Sequence, residues 1–273
     1  MTILVTGATG KVGKRLADRL RTAGLARRSA SRHPVGEAGV AFDWWDRATW
    51  GHALNGVSAT YLIAPRGDAA PAMISFVREA LAAGVRRFVL QSGSPVPAGA
   101  PGTGTVHAWL AENVAEWAVL RPSWFMQNFT EALNGQTIRA ENAFYTAAGD
   151  GRVGFIDAHD IAGAAFGALT APEPLNADAI LTGPRAITYD EAASIIGKAL
   201  GRPIEHRRVA PAEVARRHIE NGVPETTAQM LGFADVAISN GAEDRVTDGV
   251  ERLSATAPTS FEAFAARDKA AWR

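Results

Sequence analysis

The stretch GATGKVG, residues Gly7–Gly13, follows the apolar run Ile3–Val5 and predicts a strand, a tight turn and a helix. In such a turn the first glycine permits the sharp bend, the second lets the backbone approach a pyrophosphate, and the third lets the helix pack closely. Backbone N–H groups at the start of the helix then face the phosphates. The residues expected to bind a dinucleotide here are Gly7, Thr9, Gly10, Lys11, Val12 and Gly13.

The residues after the turn favour a helix over an ordinary loop. Val12, Leu16 and Leu20 recur at helical spacing and give the predicted helix one apolar stripe. A glycine triplet alone is a weak signal, but this context makes a dinucleotide-binding turn the better interpretation.

The composition restricts the class of protein. With 273 residues, of which 47% are hydrophobic and 21% charged, the chain can form a large globular core. Lysine and arginine (28) balance aspartate and glutamate (28), so nothing indicates a nucleic-acid-binding surface. The absence of cysteine excludes disulfides and thiolate nucleophiles. No leader-like or membrane-spanning run occurs, so we expect a cytoplasmic monomer or homodimer that acts on a small molecule, with no membrane partner.

Alternating strand and helix patterns predict an α/β fold, a doubly wound parallel Rossmann sheet with a smaller C-terminal α/β lobe. We expect a cofactor-binding Rossmann domain over residues 1–125 and a substrate-binding lobe over 126–273, with segments that return to the first domain. Other expected features are a helix over 69–83, a loop-rich stretch up to Gly154, and capping boxes at Thr188/Glu191 and Thr259/Glu262. The later predicted strands are 26–31, 40–42, 59–64, 87–91 and 118–120.

Residues around the second predicted strand bear on the choice of cofactor. An acidic residue at its end selects NAD by binding the ribose 2′-OH, whereas an arginine accommodates the 2′-phosphate of NADP. The chain has Arg27, Arg28, Ser31 and Arg32 there and no acid before Glu37. This pattern favours NADPH, with Ser31 and Arg32 as phosphate contacts. The alternative is a solvated basic corner without a ligand.

Other strand ends supply further candidate contacts, because ligands of open α/β sheets bind at the carboxyl edge. Asp43 is expected to accept a hydrogen bond from the adenine amino group, and a simple turn carboxylate is the alternative. The other expected cofactor contacts are Ala64, Pro65, Ser92 and Pro122.

Several motifs resemble those of the NmrA-like atypical short-chain dehydrogenases/reductases, from the glycine loop to the C-terminus. These motifs are Gly7–Gly13, Gly84–Val89 leading to Ser92, Leu120–Pro122, Phe155–Asp157, Asp160–Ala162, Gly183–Pro184 and Leu200–Pro203. More specific stretches resemble the subgroup that contains festuclavine dehydrogenase, and they are Phe42–Trp44, Thr49–Trp50, Leu120–Asn128 and Gly222–Pro224. The resemblance implies use of NADPH to reduce a cyclic iminium.

A pair of residues common in this superfamily is missing. Ordinary members protonate a carbonyl oxygen with the tyrosine of a Tyr-x-x-x-Lys pair. Tyr61, Tyr145 and Tyr189 each lack a lysine four residues later, and no lysine occurs between Lys14 and Lys198. Hydride addition to a C=N⁺ bond gives a neutral amine directly, so such a reaction does not need this acid.

The candidate catalytic residues are His107, Trp124 and Tyr145. Trp124 with Phe125 and Met126 would form an apolar wall that attracts a delocalised cation, and ordinary packing is the alternative. His107 would donate a proton or orient the substrate, and a buried core histidine is the more common case.

Two acids and two histidines receive weaker interpretations. Asp157 and Asp160 could offer a carboxylate to a cationic substrate, but Asp160 is better explained as the N-cap of a helix that begins at Ile161. His206 and His218 lack further ligands at metal spacing, so no metal site is expected.

Three functions are compatible with these residues. The first is an NADPH-dependent imine or iminium reductase, and the second is a quinone or enone reductase of the same family. The third is a non-catalytic redox sensor that binds NADP.

Overall fold

The computed structural model describes residues 1–273. The strands are β1 (Thr2–Val5), β2 (Ala26–Ser31), β3 (Gly39–Ala41), β4 (Ala59–Ile63), β5 (Arg87–Gln91), β6 (Glu116–Pro122), β7 (Ala143–Thr146), β8 (Arg152–Val153), β9 (Ala177–Leu181), β10 (Ile187–Thr188) and β11 (Glu205–Arg208). The helices are α1 (Lys11–Thr22), α2 (Trp50–Leu54), α3 (Ala70–Ala82), α4 (Thr103–Asn113), α5 (Leu133–Glu141), α6 (Ala158–Thr170), α7 (Tyr189–Leu200), α8 (Pro211–Glu220), α9 (Glu225–Ser239), α10 (Gly249–Ser254) and α11 (Phe261–Asp268).

Two compact units make up the chain. Unit 1 consists of Met1–Pro122, Ala158–Leu181 and Asp248–Thr256, and unit 2 consists of Ser123–Asp157, Thr182–Thr247 and Ala257–Arg273. No helix has both the length and the apolar composition that a bilayer span requires.

Unit 1 contains a seven-stranded sheet with the order β3-β2-β1-β4-β5-β6-β9 and parallel pairing throughout. Helices α1 and α6 pack against each other, and so do α3 and α4. The strand order reverses between β1 and β4, which is where ligands bind in doubly wound sheets. The predicted α/β Rossmann class is therefore confirmed.

Aromatic side chains fill the core beside β3. Phe42, Trp44, Trp50 and Phe76 are buried and meet edge to face, with ring centroids 4.9 to 5.4 Å apart. Each such pair contributes roughly 0.5–1.5 kcal/mol beyond the area that it buries. The residues of the specific Phe42–Trp44 and Thr49–Trp50 stretches thus stabilise this end of the sheet.

Unit 2 has its own core around Phe129, whose ring lies 5.2 to 6.0 Å from the rings of Phe144, Phe155, Tyr189 and Phe261. Two small sheets adjoin this core. β7 pairs in parallel with β11, and β8 pairs antiparallel with β10.

Three local predictions are wrong. The stretch expected to be loop-rich contains α5, β7 and β8, because short elements with mixed polarity give weak periodic signals. Helix α6 begins at Ala158, so Asp160 lies in its first turn and is not an N-cap. At α11 the cap is Ser260, whose hydroxyl accepts from the N–H of Ala263 at 3.1 Å, so no box starts at Thr259. The box at Thr188 and Glu191 is confirmed.

Candidate active site

The glycine turn joins β1 to α1 in unit 1, and each glycine meets a specific steric demand. Gly7 has a φ of +60°, in the region that favours glycine. A Cβ on Gly13 would lie 2.2 Å from the Gly7 carbonyl oxygen, so no side chain fits there. Gly10 caps α1 without a side-chain hydrogen bond, and the first turn of α1 carries no acid. This positive helix end suits a phosphate.

A residue that the sequence analysis missed, Thr6, holds this turn in place. Its buried hydroxyl donates to the carbonyl of Tyr61 at 3.0 Å and accepts from the N–H of Ile63 at 2.8 Å. Because Ile63 also lies against Gly7, Thr6 fixes the carboxyl ends of β1 and β4 together beneath the turn. A threonine directly before a glycine turn is a signal that could have indicated such a contact.

The basic residues in and after β2 have different roles in the structure. Arg28 donates to the carbonyls of His52 and Asn55, at 2.8 and 3.4 Å, and so holds the end of α2. Arg32 is exposed and forms no ion pair, and Ser31 beside it donates to the carbonyl of His33 at 2.8 Å. Arg32 is therefore the arginine whose guanidinium is most available to an anion.

Asp43 uses its side chain within its own turn. Its Oδ1 accepts from the N–H of Trp45 at 2.9 Å, and its carbonyl accepts from the indole N–H of Trp50 at 2.8 Å. The predicted hydrogen bond from the adenine amino group would therefore go to the other carboxylate oxygen, Oδ2.

Backbone hydrogen bonds continue between the segments that follow β5 and the end of β6. The N–H of Ser92 donates to Leu120 at 2.8 Å, and the N–H of Ser94 donates to Pro122 at 2.9 Å. The Ser92 hydroxyl lies 2.7 Å from that of Thr103 at the start of α4. Ser92 and Pro122 thus occupy neighbouring positions at the carboxyl edge, and Ala64 and Pro65 follow β4 at the same edge.

His107 is a buried residue of α4, 5% exposed, and its ring centroid lies 5.7 Å from that of Trp117. Its Nδ1 is buried without a hydrogen bond. Burial lowers the pKa of His107, with opposing effects of Asp178, which raises it, and Arg121, which lowers it. The structure therefore favours the neutral imidazole, packed between helix and sheet.

Two of the three tyrosines, Tyr61 and Tyr145, occupy different environments. Tyr61 is fully buried in β4, donates to Gln91 at 2.7 Å, and has a pKa raised by burial. Tyr145 lies in a surface network of unit 2, where it donates to Glu141 and accepts from Arg207 at 2.8 Å. The guanidinium carbon of Arg217 lies 3.5 Å from the Tyr145 ring centroid.

The Trp124–Met126 stretch begins unit 2, two residues after β6 ends. The carbonyl of Trp124 accepts from Ile156 and the N–H of Met126 donates to it, both at 2.9 Å. Met126 is buried in the core, whereas Trp124 and Phe125 are partly exposed. Of the predicted wall, only the two aromatic residues keep surface for a ligand.

Buried polar groups adjoin this stretch within unit 2. Ser123 donates to Glu243 at 2.8 Å, and Gln127 donates to Asp157 at 3.0 Å. Asp157 also pairs with Arg267, at 2.7 Å. These bonds hold the residues on either side of Trp124. The carboxylate of Asp157, a candidate contact for a cationic substrate, is already bonded to Gln127 and Arg267. No group of three or more histidine, aspartate or glutamate side chains in the chain could hold a metal ion.

Unit 2 contains a second set that sequence reasoning missed, namely Tyr189, Asp235 and Glu243. Asp235 is 8% exposed on α9, and burial raises its pKa to about 6 against the effect of a hydrogen bond from Ala147. The pKa of Tyr189 is raised by burial and by the two carboxylates. These three residues are far apart in the sequence and follow no recognisable motif, so only the structure could reveal their mutual influence.

Comparison with known proteins identifies the family. The profile of the NAD(P)H-binding family matches residues 7–172 of this chain. The chain belongs to this NAD(P)H-binding, NmrA-like family. It is 43% identical to the uncharacterized oxidoreductase YesF of Bacillus subtilis, over 99% of this chain and 96% of the relative. The chain is accordingly an NAD(P)H-dependent oxidoreductase, as the sequence analysis predicted.

Two more relatives bear out the resemblance to the festuclavine dehydrogenase subgroup. Agroclavine dehydrogenase of Claviceps fusiformis is 40% identical, and festuclavine dehydrogenase of Aspergillus fumigatus is 37% identical, each over 100% of this chain and 99% of the relative. A nucleoside-diphosphate-sugar epimerase from Staphylococcus aureus has the same fold, with a TM-score of 0.84, 18% identity, and coverage of 97% of this chain and 100% of the other.

Proposed function

We propose that the protein transfers hydride from NADPH to the C=N bond of a cyclic imine or iminium. The observation that carries this proposal is the absence of a tyrosine prepared to act as an acid. Tyr61 is enclosed in the sheet, Tyr189 is a buried phenol with a raised pKa, and Tyr145 is held between charged side chains.

The chemistry of an iminium fits a site without such an acid. The hydride adds to carbon, the C=N π electrons return to nitrogen, and the product is a neutral amine. No proton has to move during that step. A ketone would instead form an alkoxide and would depend on general acid catalysis, which is worth roughly 10²–10⁴-fold in rate.

Relatives support the same substrate class. Festuclavine and agroclavine dehydrogenases match this chain along its whole length, and their subgroup resemblance implies reduction of a cyclic iminium. A cyclic imine or iminium is therefore the substrate class proposed for this chain.

The residues of unit 1 are proposed to bind and orient NADPH, which supplies the hydride when bound. The first turn of α1 and the backbone around Gly10 would hold the pyrophosphate, because no acid or side-chain cap competes there. Arg32 would pair with the 2′-phosphate, which makes NADPH the preferred cofactor over NADH. The residues at the ends of β4, β5 and β6 would line the rest of the cofactor.

Trp124 is proposed to stabilise the substrate cation through its indole face. It is partly exposed, and its carbonyl accepts a hydrogen bond from the N–H of Ile156, which fixes its backbone. A cation over an indole gains roughly 0.5–2 kcal/mol, depending on how much water is excluded.

A substrate panel tests the proposal. We expect NADPH consumption with cyclic imines and N-alkyl iminium salts to exceed that with quinones, enones and ketones. A variant that cannot bind the cofactor, Gly10→Asp, controls for background reduction. Faster turnover of quinones or enones would support the alternative reductase instead. No turnover of any electrophile, despite tight NADPH binding, would favour the sensor role.

A further inference from the structure

Asp235 is a buried carboxyl group that no cationic side chain of the chain neutralises. Its Oδ2 accepts the N–H of Ala147 at 2.8 Å, and it forms no ion pair. The other buried carboxylates of unit 2 have arginine partners, since Glu243 lies 3.3 Å from Arg245 and Asp157 lies 2.7 Å from Arg267. An ionised carboxylate that is buried without a partner is costly, so Asp235 is the exception that needs an explanation.

The Tyr189 hydroxyl lies near Asp235 and has no hydrogen-bond partner, although Tyr189 is only 5% exposed. The oxygen itself is not enclosed, so water or a ligand can reach it. The Tyr189 ring is enclosed by Phe129, Phe144 and Phe155 at 5.2 to 6.1 Å, so the oxygen is the one polar atom at the end of an apolar side chain. Tyr189 therefore offers a second polar atom, beside the carboxylate of Asp235, that makes no hydrogen bond to the protein and is open to a ligand.

No neighbouring side chain is free to supply the missing charge. The His206 ring lies 5.5 Å from that of Tyr189, but its Nδ1 is 2.7 Å from Asp190 and its Nε2 is 2.7 Å from Thr146. Burial also lowers the pKa of His206, against the opposing effect of Asp190. Arg208 pairs with Asp150 and Asp190. No side chain of the protein therefore supplies a counter-charge to the ionised form of Asp235, and a cationic ligand would supply it.

We propose that Asp235 binds the positively charged nitrogen centre of the substrate, with the oxygen of Tyr189 facing the same charge. The inference rests on the proposed function and names the groups that select a cationic substrate over a neutral one. Asp235 forms no covalent bond and transfers no proton in this role. Once the product amine takes up a proton from water, the same carboxylate can accept its N–H.

Glu243 links this pair to the proposed aromatic wall within unit 2. Its carboxylate accepts from Ser123, the residue before Trp124, and it lies close enough to Tyr189 to raise the pKa of the phenol. A cation held by Asp235 would therefore meet two carboxylates, those of Asp235 and Glu243, which hydrogen bonds from Ala147 and Ser123 hold in place. Such fixed groups need no rearrangement when the ligand binds.

Kinetics of Asp235→Asn test the proposal, because Asn keeps an acceptor for Ala147 and removes only the charge. The substrate is an N-alkyl dihydroisoquinolinium salt, which is permanently charged. We expect the KM to rise about ten- to hundredfold, with kcat and the Kd for NADPH nearly unchanged. Asp244→Asn removes an exposed carboxylate of unit 2 and should leave the KM unchanged. Tyr189→Phe should raise the KM less than Asp235→Asn.

Calorimetry gives a second reading that does not depend on turnover. The N-alkyl tetrahydroisoquinoline product, protonated at neutral pH, should bind the NADP⁺ complex roughly tenfold more weakly in Asp235→Asn than in the unmutated protein. Equal KM and equal product affinity in the two proteins, with the unmutated enzyme active on the iminium, would overturn the role of Asp235 alone. Failure of the unmutated enzyme to reduce or bind any iminium would overturn the proposed function as well.

Discussion

Among single residues, the proposed cofactor site combines backbone that only glycine permits with the exposed cation of Arg32. Gly7 and Gly13 are required by the fold of the turn itself, through a positive φ and a 2.2 Å approach to a carbonyl. Gly10 is different, because its Cβ would stand 3.2 Å from the Gly7 oxygen and could be accommodated by a small shift. A change at Gly10 therefore tests ligand binding more than folding.

Gly10→Asp should abolish NADP⁺ binding while the protein stays folded. The new carboxylate would occupy the path of the pyrophosphate and repel it. Gly51→Asp is the matched control, since a Cβ there meets nothing within 4 Å. Isothermal titration calorimetry with NADP⁺ makes the comparison. Unchanged affinity in a folded Gly10→Asp variant would show that the phosphates bind elsewhere.

Arg32→Glu should weaken NADPH about ten- to hundredfold and leave NADH almost unaffected, because only NADPH carries the 2′-phosphate. Arg21→Glu, at the far end of α1, changes the net charge equally and should affect neither cofactor. The Kd values of both cofactors are measured by fluorescence titration. Equal loss of NADH and NADPH affinity would contradict a phosphate contact.

The glycine turn and an exposed arginine after β2 could be predicted from the sequence because each depends on neighbours within a few residues, and their contacts with the cofactor stay predictions. Arg28 was counted among the basic residues that favour NADPH, whereas in the structure it holds carbonyls at the end of α2 that lie 24 and 27 residues away in the chain. Thr6 and Asp235 were missed for the same reason. Their partners, Ile63 and Ala147, lie 57 and 88 residues away, and no local pattern records such distances.

At the scale of elements, strands and helices with strong periodicity were predicted within one or two residues. β4 and β5 are buried parallel strands and β2 is a partly exposed one, and α3 ends just before Gly84, which adopts a φ of +91°. The predicted N-cap of α11 was one residue too early. Thr259 and Ser260 are adjacent hydroxyl residues, and only the backbone geometry decides which of them caps the helix. The short β7 and β8 lacked a clear alternation.

Asp235 attaches helix α9 to the residue after β7 through Ala147, and the burial of its carboxyl group should cost stability as pH rises. The pKa of Asp235 is about 6 in the folded protein and 3.8 in a free side chain. Between these values the folded state keeps a proton that the unfolded chain has lost, so stability decreases with increasing pH. Over that range the loss amounts to roughly 3 kcal/mol.

Asp235→Asn removes this titration and should therefore gain stability relative to the unmutated protein as the pH is raised. Urea unfolding at about pH 4.5 and about pH 8 measures the effect. The advantage of the variant should be larger at the higher pH. The same difference at both pH values would show that Asp235 titrates normally in the folded state.

At the scale of the whole molecule, unit 1 provides a cofactor-binding sheet and unit 2 provides buried carboxylates and partly exposed aromatic side chains. Neither unit presents a tyrosine with a neighbouring lysine. In the proposed reaction, hydride reaches the C=N carbon without an obligatory side-chain acid, and the substrate is selected by its positive charge.

Stopped-flow loss of NADPH absorbance on an N-alkyl iminium, under single-turnover conditions, tests this claim most directly. Because such a substrate cannot lose its charge as an imine, any requirement for an acid must arise in the protein. His107→Ala, Tyr145→Phe and Tyr189→Phe should each lower the hydride-transfer rate at saturating substrate by less than about tenfold, below the range of general acid catalysis. A loss of about a hundredfold or more in one variant, or rapid reduction of ketones with no turnover of the iminium, would contradict it.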